Sequence, residues 1–303
     1  MEPQQKLPTS ILLERTLELS RDNIGSDARR KAVNELLRRG DEETFETARQ
    51  WFDSDDVTER ELAANLLGQL GEIREVGGRQ FFPFTDRSVP LLEKLMDDSE
   101  PRVNAAAIHS LAEHYLCGPV LARPMLADHP SKNVRLAVAR AAWEGNDSED
   151  AVILLIKLSE DDDDNVRDWA SFGLGTANID TPEIREALLK RLDDLHDDTK
   201  AEAMIGLARR KDARAIPHIK SALEADCVGS GAIEAAGHIG SPKLVGALEG
   251  LRSWWDVDTE LLEAAIRSCK NKPLPGDKGQ WVMEGEIVVP EWGKTRQNTD
   301  AST

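Results

Sequence analysis

The chain has 303 residues, of which 40% are hydrophobic, 31% charged and only 5% aromatic, a composition that can bury a sizeable core in a globular protein. Its formal net charge of −18 weighs against nucleic acid as a partner, because affinity there comes from Lys and Arg replacing phosphate counterions, and it favours basic protein partners. Cys117, Cys227 and Cys269 lie too far apart for a disulfide framework or a CxxC metal pattern, and the absence of a secretion-signal pattern or a membrane-spanning apolar run leads us to expect a cytoplasmic protein with no membrane partner.

Taken in chain order, one frame recurs. It runs Ala28-Arg29, Ala32, Leu36; then Glu59-Arg60, Ala63, Leu67; Val103-Asn104, Ala107, Leu111; Val134-Arg135, Val138, Ala142; Val166-Arg167, Ala170, Leu174; and Thr199-Lys200, Ala203, Leu207. It decays to Gly229, Ala232, Ala236 and ends at Val257, Leu261, Ala265. Apolar positions four residues apart share one helical face. The last apolar positions, 36, 67, 111, 142, 174, 207, 236 and 265, are spaced by 31, 44, 31, 32, 33, 29 and 29 residues. A period this regular marks a repeat architecture. The excess of the one long spacing falls in "GEIREVGGRQFFPFTDRS", residues 71–88.

Each copy is preceded by an apolar segment of helical length, clearest in "TPEIREALLKRLDD", "DARAIPHIKSALEAD" and "SPKLVGALEGLRSWWD". Thr181, Asp212 and Ser241 are well-typed N-caps for these segments, with Pro182 and Pro242 in their first turns. The unit is therefore helix A, acidic turn, helix B. Such a unit is too small to bury both faces alone, and stacking buries a continuous core. Small residues in the B frame (Ala170, Gly173, Ala203, Gly206, Ala232, Ala235) predict close helix approach. After the repeats, "LPGDKGQWVMEGEIVVPEW" resumes apolar alternation. Within it a short hairpin turning at Glu284-Gly285 is expected, capping the last repeat ahead of a disordered tail.

The stretch Asp164-Asn165-Val166-Arg167 through Leu174-Gly175, with its copies, resembles the HEAT-repeat family, in particular the short HEAT-like repeats of bilin (phycocyanobilin) lyases. The resemblance covers residues 9 to 270 and implies an all-α fold: a right-handed α-solenoid (α–α superhelix) of about eight HEAT-like helix pairs. The expected organisation is a solenoid over residues 1–270, interrupted by the 71–88 insertion, and a C-terminal extension over 271–303.

Acidic residues crowd the A-to-B turns: Asp53/Asp55/Asp56, Asp97/Asp98/Glu100, Glu160 to Asp164, Asp197/Asp198 and Asp256/Asp258. There they cap and stabilise the exposed N–H groups of helix B. Arg60, Arg135, Arg167 and Lys200 follow just inside helix B, and the resemblance implies that they form an Asp–Arg ladder between adjacent repeats. The four aspartates 161–164 do not fit a calcium loop: counting from Asp161, Asp162 or Asp163, position twelve is Phe172, Gly173 or Leu174 rather than Glu.

No catalytic, cofactor or metal constellation stands out. His109 and His114 are five residues apart, poorly aligned for one metal. No His-Glu dipeptide of the kind used by HEAT-like di-iron hydroxylases occurs. Gly173, Gly175, Gly206 and Gly237 recur in repeat frame, so packing explains them better than a phosphate loop, and no GxSxG motif is present. HEAT-like DNA glycosylases need a basic groove, which the net charge disfavours.

In a HEAT stack the B helices line the concave side. The positions six past the frame residue read Asn34, Asn65, His109, Arg140, Phe172, Ile205, Glu234, Glu263; those ten past read Arg38, Gln69, Glu113, Glu144, Thr176, Arg209, His238, Arg267. Asn65, His109, Arg140, Phe172, Thr176, Ile205, Arg209 and His238 are the candidate partner-binding residues, with aromatic and Arg side chains of the kind enriched at hot spots; the competing reading is a solvated inner face without a specific ligand. Phe81, Phe82 and Phe84 of the insertion either tuck into a neighbouring repeat or form a contact site. The expected function is a non-catalytic protein-binding scaffold or adaptor for a partner with a basic or mixed surface, such as an immunity-type inhibitor of a toxin. The alternative, implied by the resemblance alone, is a subunit of a bilin chromophore lyase.

Overall fold

A computed structural model describes residues 7–22, 25–71, 74–76, 79–113, 116–254 and 257–270, with the side chains of 74–76, 79–81 and 113 outside that description. The chain divides into two compact units, residues 1–145 and 146–303. The first contains α1 (Thr9–Asp22), α2 (Asp27–Arg39), α3 (Glu42–Trp51), α4 (Val57–Gly68), a ribbon of β1 (Arg74–Val76) and β2 (Arg79–Phe81), then α5 (Thr85–Leu95), α6 (Pro101–Glu113), α7 (Gly118–Leu121) and α8 (Lys132–Glu144). The second contains α9 (Glu149–Leu158), α10 (Asp164–Thr176), α11 (Pro182–Arg191), α12 (Asp197–Arg209), α13 (Ile216–Leu223), α14 (Ser230–Ile239), α15 (Val245–Gly250) and α16 (Thr259–Lys270). No helix of the described residues is long and apolar enough to cross a membrane.

These helices form an α-solenoid of HEAT-like pairs, each odd-numbered helix being the A member and each even-numbered one the B member. Leu36, Leu67, Leu111, Ala142, Leu174, Leu207, Ala236 and Ala265, the regularly spaced positions, fall one on each B helix, and all are buried. Successive B helices pack side by side within each unit: α4 on α6 on α8, and α10 on α12 on α14 on α16. The A members are less regular. In the fourth pair only α7 and a 3-10 turn, Pro124–Asp128, stand in that place; α13 and α15 are entered through 3-10 turns at Ala213–Ala215 and Pro242–Leu244.

Small residues set the approach of the B helices. A Cβ at Gly206 would lie 2.7 Å from Gly175 Cα and 2.9 Å from Leu188 Cδ1. Alanine gains about 1 kcal/mol of helix propensity over glycine, but here a backbone atom would have to move, and overpacking costs about 1–3 kcal/mol. Gly206→Ala should therefore lower stability by about 1 kcal/mol in urea unfolding; a gain would mean that α10 and α12 separate at no cost. Gly40 and Gly240 close α2 and α14 with φ of 57° and 64°, the left-handed C-cap conformation that glycine adopts without penalty.

The acidic turns start the B helices. Asp56 accepts from Thr58 N, and Asp163 accepts from Asn165 N and Val166 N. Among the A segments, Thr181 caps α11 and Asp212 caps its 3-10 entry. Ser241 makes no side-chain cap hydrogen bond, contrary to expectation; its segment opens as a 3-10 turn on Pro242.

Two arginines link the turns of neighbouring repeats. Arg60 Nε donates to Asp98 Oδ2 at 2.7 Å and its Nη1 to the Ser54 carbonyl at 2.8 Å. Arg167 grips both Asp194 oxygens at 2.9 Å and donates to the Asp161 carbonyl of its own turn. Arg135 Nη1 donates to the carbonyls of His129 and Pro130. Lys200 departs from the expected ladder: its ammonium pairs with Asp197, one turn back on α12, at 2.7 Å. A flexible ammonium finds a local carboxylate, whereas the guanidinium fork spans two turns.

The insertion contains an antiparallel strand pair, Arg74↔Phe81, Glu75↔Gln80 and Val76↔Arg79, which the all-α expectation did not include. Phe84, just beyond, is buried and stacks on Phe45 of α3 with centroids 4.8 Å apart; the Arg87 guanidinium lies 3.9 Å from the Phe45 ring. Phe82 is half-buried, and the Phe81 side chain lies outside the described residues. So do His114, Asp256, the expected hairpin over residues 280–289 and the tail beyond it.

Candidate functional site

In the first unit the candidate residues stand on three B helices. On α4, Asn65 is half-buried and donates Nδ2 to the Glu61 carbonyl one turn back. Glu61 itself is buried between Arg29 at 3.8 Å and Arg102 at 3.4 Å, and burial pushes its carboxyl above the usual range. On α6, His109 Nε2 lies 2.9 Å from Arg140 Nη1 of α8. A guanidinium only donates, so Nε2 is the acceptor and the ring is neutral with its proton on Nδ1. That Nδ1 is buried and has no hydrogen-bond partner among the described residues. Burial first, and Arg140 second, hold His109 below the ordinary histidine range. His109 is thus a neutral prop that fixes the half-buried Arg140.

In the second unit α10 contributes Asp168, Trp169 and Phe172, all half-buried. The Trp169 and Phe172 rings meet edge to face, 5.9 Å apart at 90°. Thr176 is not available to a ligand in the same way: its hydroxyl donates to the Phe172 carbonyl at 2.9 Å and accepts from Asn146 Nδ2 at 3.1 Å. Ile205 corrects the wheel. It is buried, 8% exposed, rather than outward, because Gly231 lets α14 come close: a Cβ there would sit 3.6 Å from Ile205 Cδ1. Arg209 is exposed and pairs with Glu234 of α14 at 3.4 Å, and His238 Nε2 lies 3.2 Å from the same Glu234 oxygen. The His238 hydrogen bond, more than Arg209, holds the Glu234 carboxyl below its usual range against the effect of burial.

Three residues outside the six- and ten-place series, Asp168, Trp169 and Glu202, complete this face. Glu202 of α12 is pushed up to about 7, first by burial, then by the Asp168 and Glu234 carboxylates on the flanking helices; Arg209 opposes the shift. Asp168 is pushed up by burial and by Asp198, with His196 opposing. Its Oδ1 is sealed from solvent and has no donor among the described residues. Among the described residues no ion pair holds Asp168 or Glu202. At two and three places past the frame residue, Asp168, Trp169 and Glu202 fall at wheel angles on either side of Phe172, so a wider stripe on the helical wheel includes them.

The first unit offers a fixed guanidinium on its B helices; the second offers aromatic surface and under-compensated carboxylates. Among the described residues no group of three or more His, Cys, Asp or Glu is placed to hold a metal ion.

Similarities to known proteins agree with this architecture. The family model described as HEAT repeats matches residues 119–199 and 185–270, together about half of the chain. Protein YibA of Escherichia coli (strain K12) is 28% identical over 255 residues, covering 82% of this chain and 88% of its own. The X-ray structure of YibA is 26% identical, covers 90% of this chain and 100% of its own, and superposes with a TM-score of 0.69. An engineered protein of known crystal structure is 18% identical, covers 86% of this chain and 80% of its own, with a TM-score of 0.51, a likeness of fold alone. The CpcE–CpcF complex of phycocyanin lyase from Nostoc sp. PCC7120 is 18% identical, covers 88% of this chain and 96% of its own, with a TM-score of 0.41, too low to support an argument about function. From the repeat spacing, the stacked B helices and the family match together, the chain belongs to the HEAT-repeat family.

Proposed function

We propose that the chain is a non-catalytic protein-binding scaffold that captures a partner of basic or mixed surface on the inner faces of its B helices, acting in the cytoplasm as an immunity-type inhibitor of a basic protein such as a toxin. The observation that carries this reading is the edge-to-face pair of half-buried Trp169 and Phe172 on α10, the helix that also bears Asp168 and packs against α12 with its half-buried Glu202. Aromatic anchors that are partly shielded already are typical of hot spots. The net charge of −18 adds long-range attraction for a basic partner.

Affinity capture from lysate, with mass spectrometry of the retained protein, tests the proposal. The wild-type chain is expected to retain one protein with a basic contact surface in stoichiometric amount. Phe172→Ala in the second unit and Arg140→Ala in the first should each leave the helical signal intact and weaken capture by more than about 1 kcal/mol, roughly fivefold or more. Undiminished capture by both variants, with loss on Asp162→Asn and Asp193→Asn, would move binding to the acidic turn edge and overturn the reading.

A further inference from the structure

The second unit holds an imbalance that its own fold does not resolve. Among the described residues, Asp168 on α10 and Glu202 on α12 are half-buried carboxylates without an ion pair, although the same unit pairs most of its arginines locally: Arg167 with Asp194, Arg185 with Asp180 and Asp212, Arg214 with Asp212 and Glu186. Among the described residues Asp168 Oδ1 has no donor and is closed to solvent, so a guest reaches the carboxylate through Oδ2, which is not sealed. Beside it, the Trp169 indole and the Phe172 ring stand edge to face on the same helix. Carboxylates taken out of water without a counter-charge are unfavourable, and a cation arriving from outside would relieve them. Two carboxylates on neighbouring helices next to an indole match a guanidinium better than an ammonium. The planar group can stack on the ring while its forked N–H donors reach separate acceptors.

We propose that the α10–α12–α14 face docks an arginine-bearing segment of another protein, one guanidinium lying against Trp169 and Phe172 and donating to Asp168 and Glu202. This deepens the protein-binding reading and rests on it. Glu234 is already engaged by Arg209 and His238, so it borders the site and does not compete for the guest. Since Glu202 faces Asp168, Glu234, Asp198 and Arg209 and titrates at about 7, its charge is present above neutrality and fades below it. Asp168, facing Asp198 and His196, is raised too. Docking should strengthen from pH 6 to pH 8.

Fluorescence anisotropy with a fluorescein-labelled octa-arginine peptide at physiological salt provides the test. The full chain is expected to bind saturably. Asp168→Asn/Glu202→Gln should weaken binding at least tenfold, and Trp169→Leu at least threefold. Asp193→Asn/Glu224→Gln, which removes the same charge from exposed positions elsewhere in the unit, should stay within twofold of wild type. Binding by wild type should tighten at least threefold from pH 6 to pH 8, and Glu202→Gln should abolish that trend. Circular dichroism confirms that each variant is folded. No binding by wild type, equal weakening by the two double variants, or full binding by Trp169→Leu each overturns the proposal. If capture of a protein partner still depends on Phe172 while octa-arginine fails any of these criteria, the scaffold reading stands and the guanidinium site falls.

Discussion

Replacing Arg210 with alanine should cost about 3 kcal/mol or more of stability, the largest loss expected from any single polar side chain in the second unit. The side chain is 5% exposed. It follows α12 directly and reaches back to the end of α10, where Nη2 donates to the carbonyls of Leu174 at 2.7 Å, Ala177 at 3.1 Å and Ile179 at 3.1 Å. Nη1 donates to Gly175 and Gly206 at 3.1 and 3.0 Å. The last carbonyls of a helix have no partner within it, and a cation there also meets the negative end of the helix dipole. Arg210 therefore caps α10 from the neighbouring repeat and joins the two pairs, with Asp180 at 3.4 Å as its counter-charge. Lysine, with one ammonium in place of a planar fork, should recover less than half of the loss. Urea unfolding followed by circular dichroism gives the magnitude, and hydrogen exchange should show faster exchange localised at the end of α10. An effect below about 1 kcal/mol would mean that water replaces the guanidinium freely.

Glu202→Gln should act in the opposite sense, and only at high pH. The Glu202 carboxyl lies at about 7 in the folded chain, against 4.5 for the ordinary group. Between those values the folded state binds more protons than the unfolded one, so stability falls as pH rises through this window. Below it both states are protonated and nothing is lost; above it the ionised group costs on the order of 2–3 kcal/mol. The glutamine variant removes that cost. It should exceed wild type by about 2 kcal/mol at pH 8 and match it near pH 4.5. An equal difference at both pH values would assign the effect to packing rather than ionisation. A site whose removal stabilises the fold is what a binding function retained at the expense of stability predicts.

The repeat was legible because it is a packing rule written in residue size. Eight positions, spaced by about thirty residues except across the insertion, are all buried, and Gly175 and Gly206 meet across α10 and α12. The pairs made by Arg60 and Arg167 were legible through the family resemblance, which implied an Asp–Arg ladder at these in-frame positions. Four features escaped. Ile205 reads outward on an isolated wheel and is covered only because Gly231 admits the next helix. Lys200 occupies a ladder position but has a nearer carboxylate in Asp197. The β1–β2 ribbon is six paired residues in an insertion outside the repeat. Arg210, Asp168 and Glu202 look like solvated charges in a sequence with 56 acidic and 38 basic residues; whether a charge is exposed, caged by carbonyls or left without a partner is decided by the neighbouring repeat.

Hydroxyl-radical footprinting of the captured complex tests most directly where the partner sits. Trp169 and Phe172 report the B-helix face, and Leu195, 96% exposed in the turn between α11 and α12, reports the acidic edge. Binding on the B-helix face predicts that partner addition lowers oxidation of Trp169 and Phe172 at least threefold and leaves Leu195 unchanged. Protection of Leu195 with no change at Trp169 and Phe172 would contradict it.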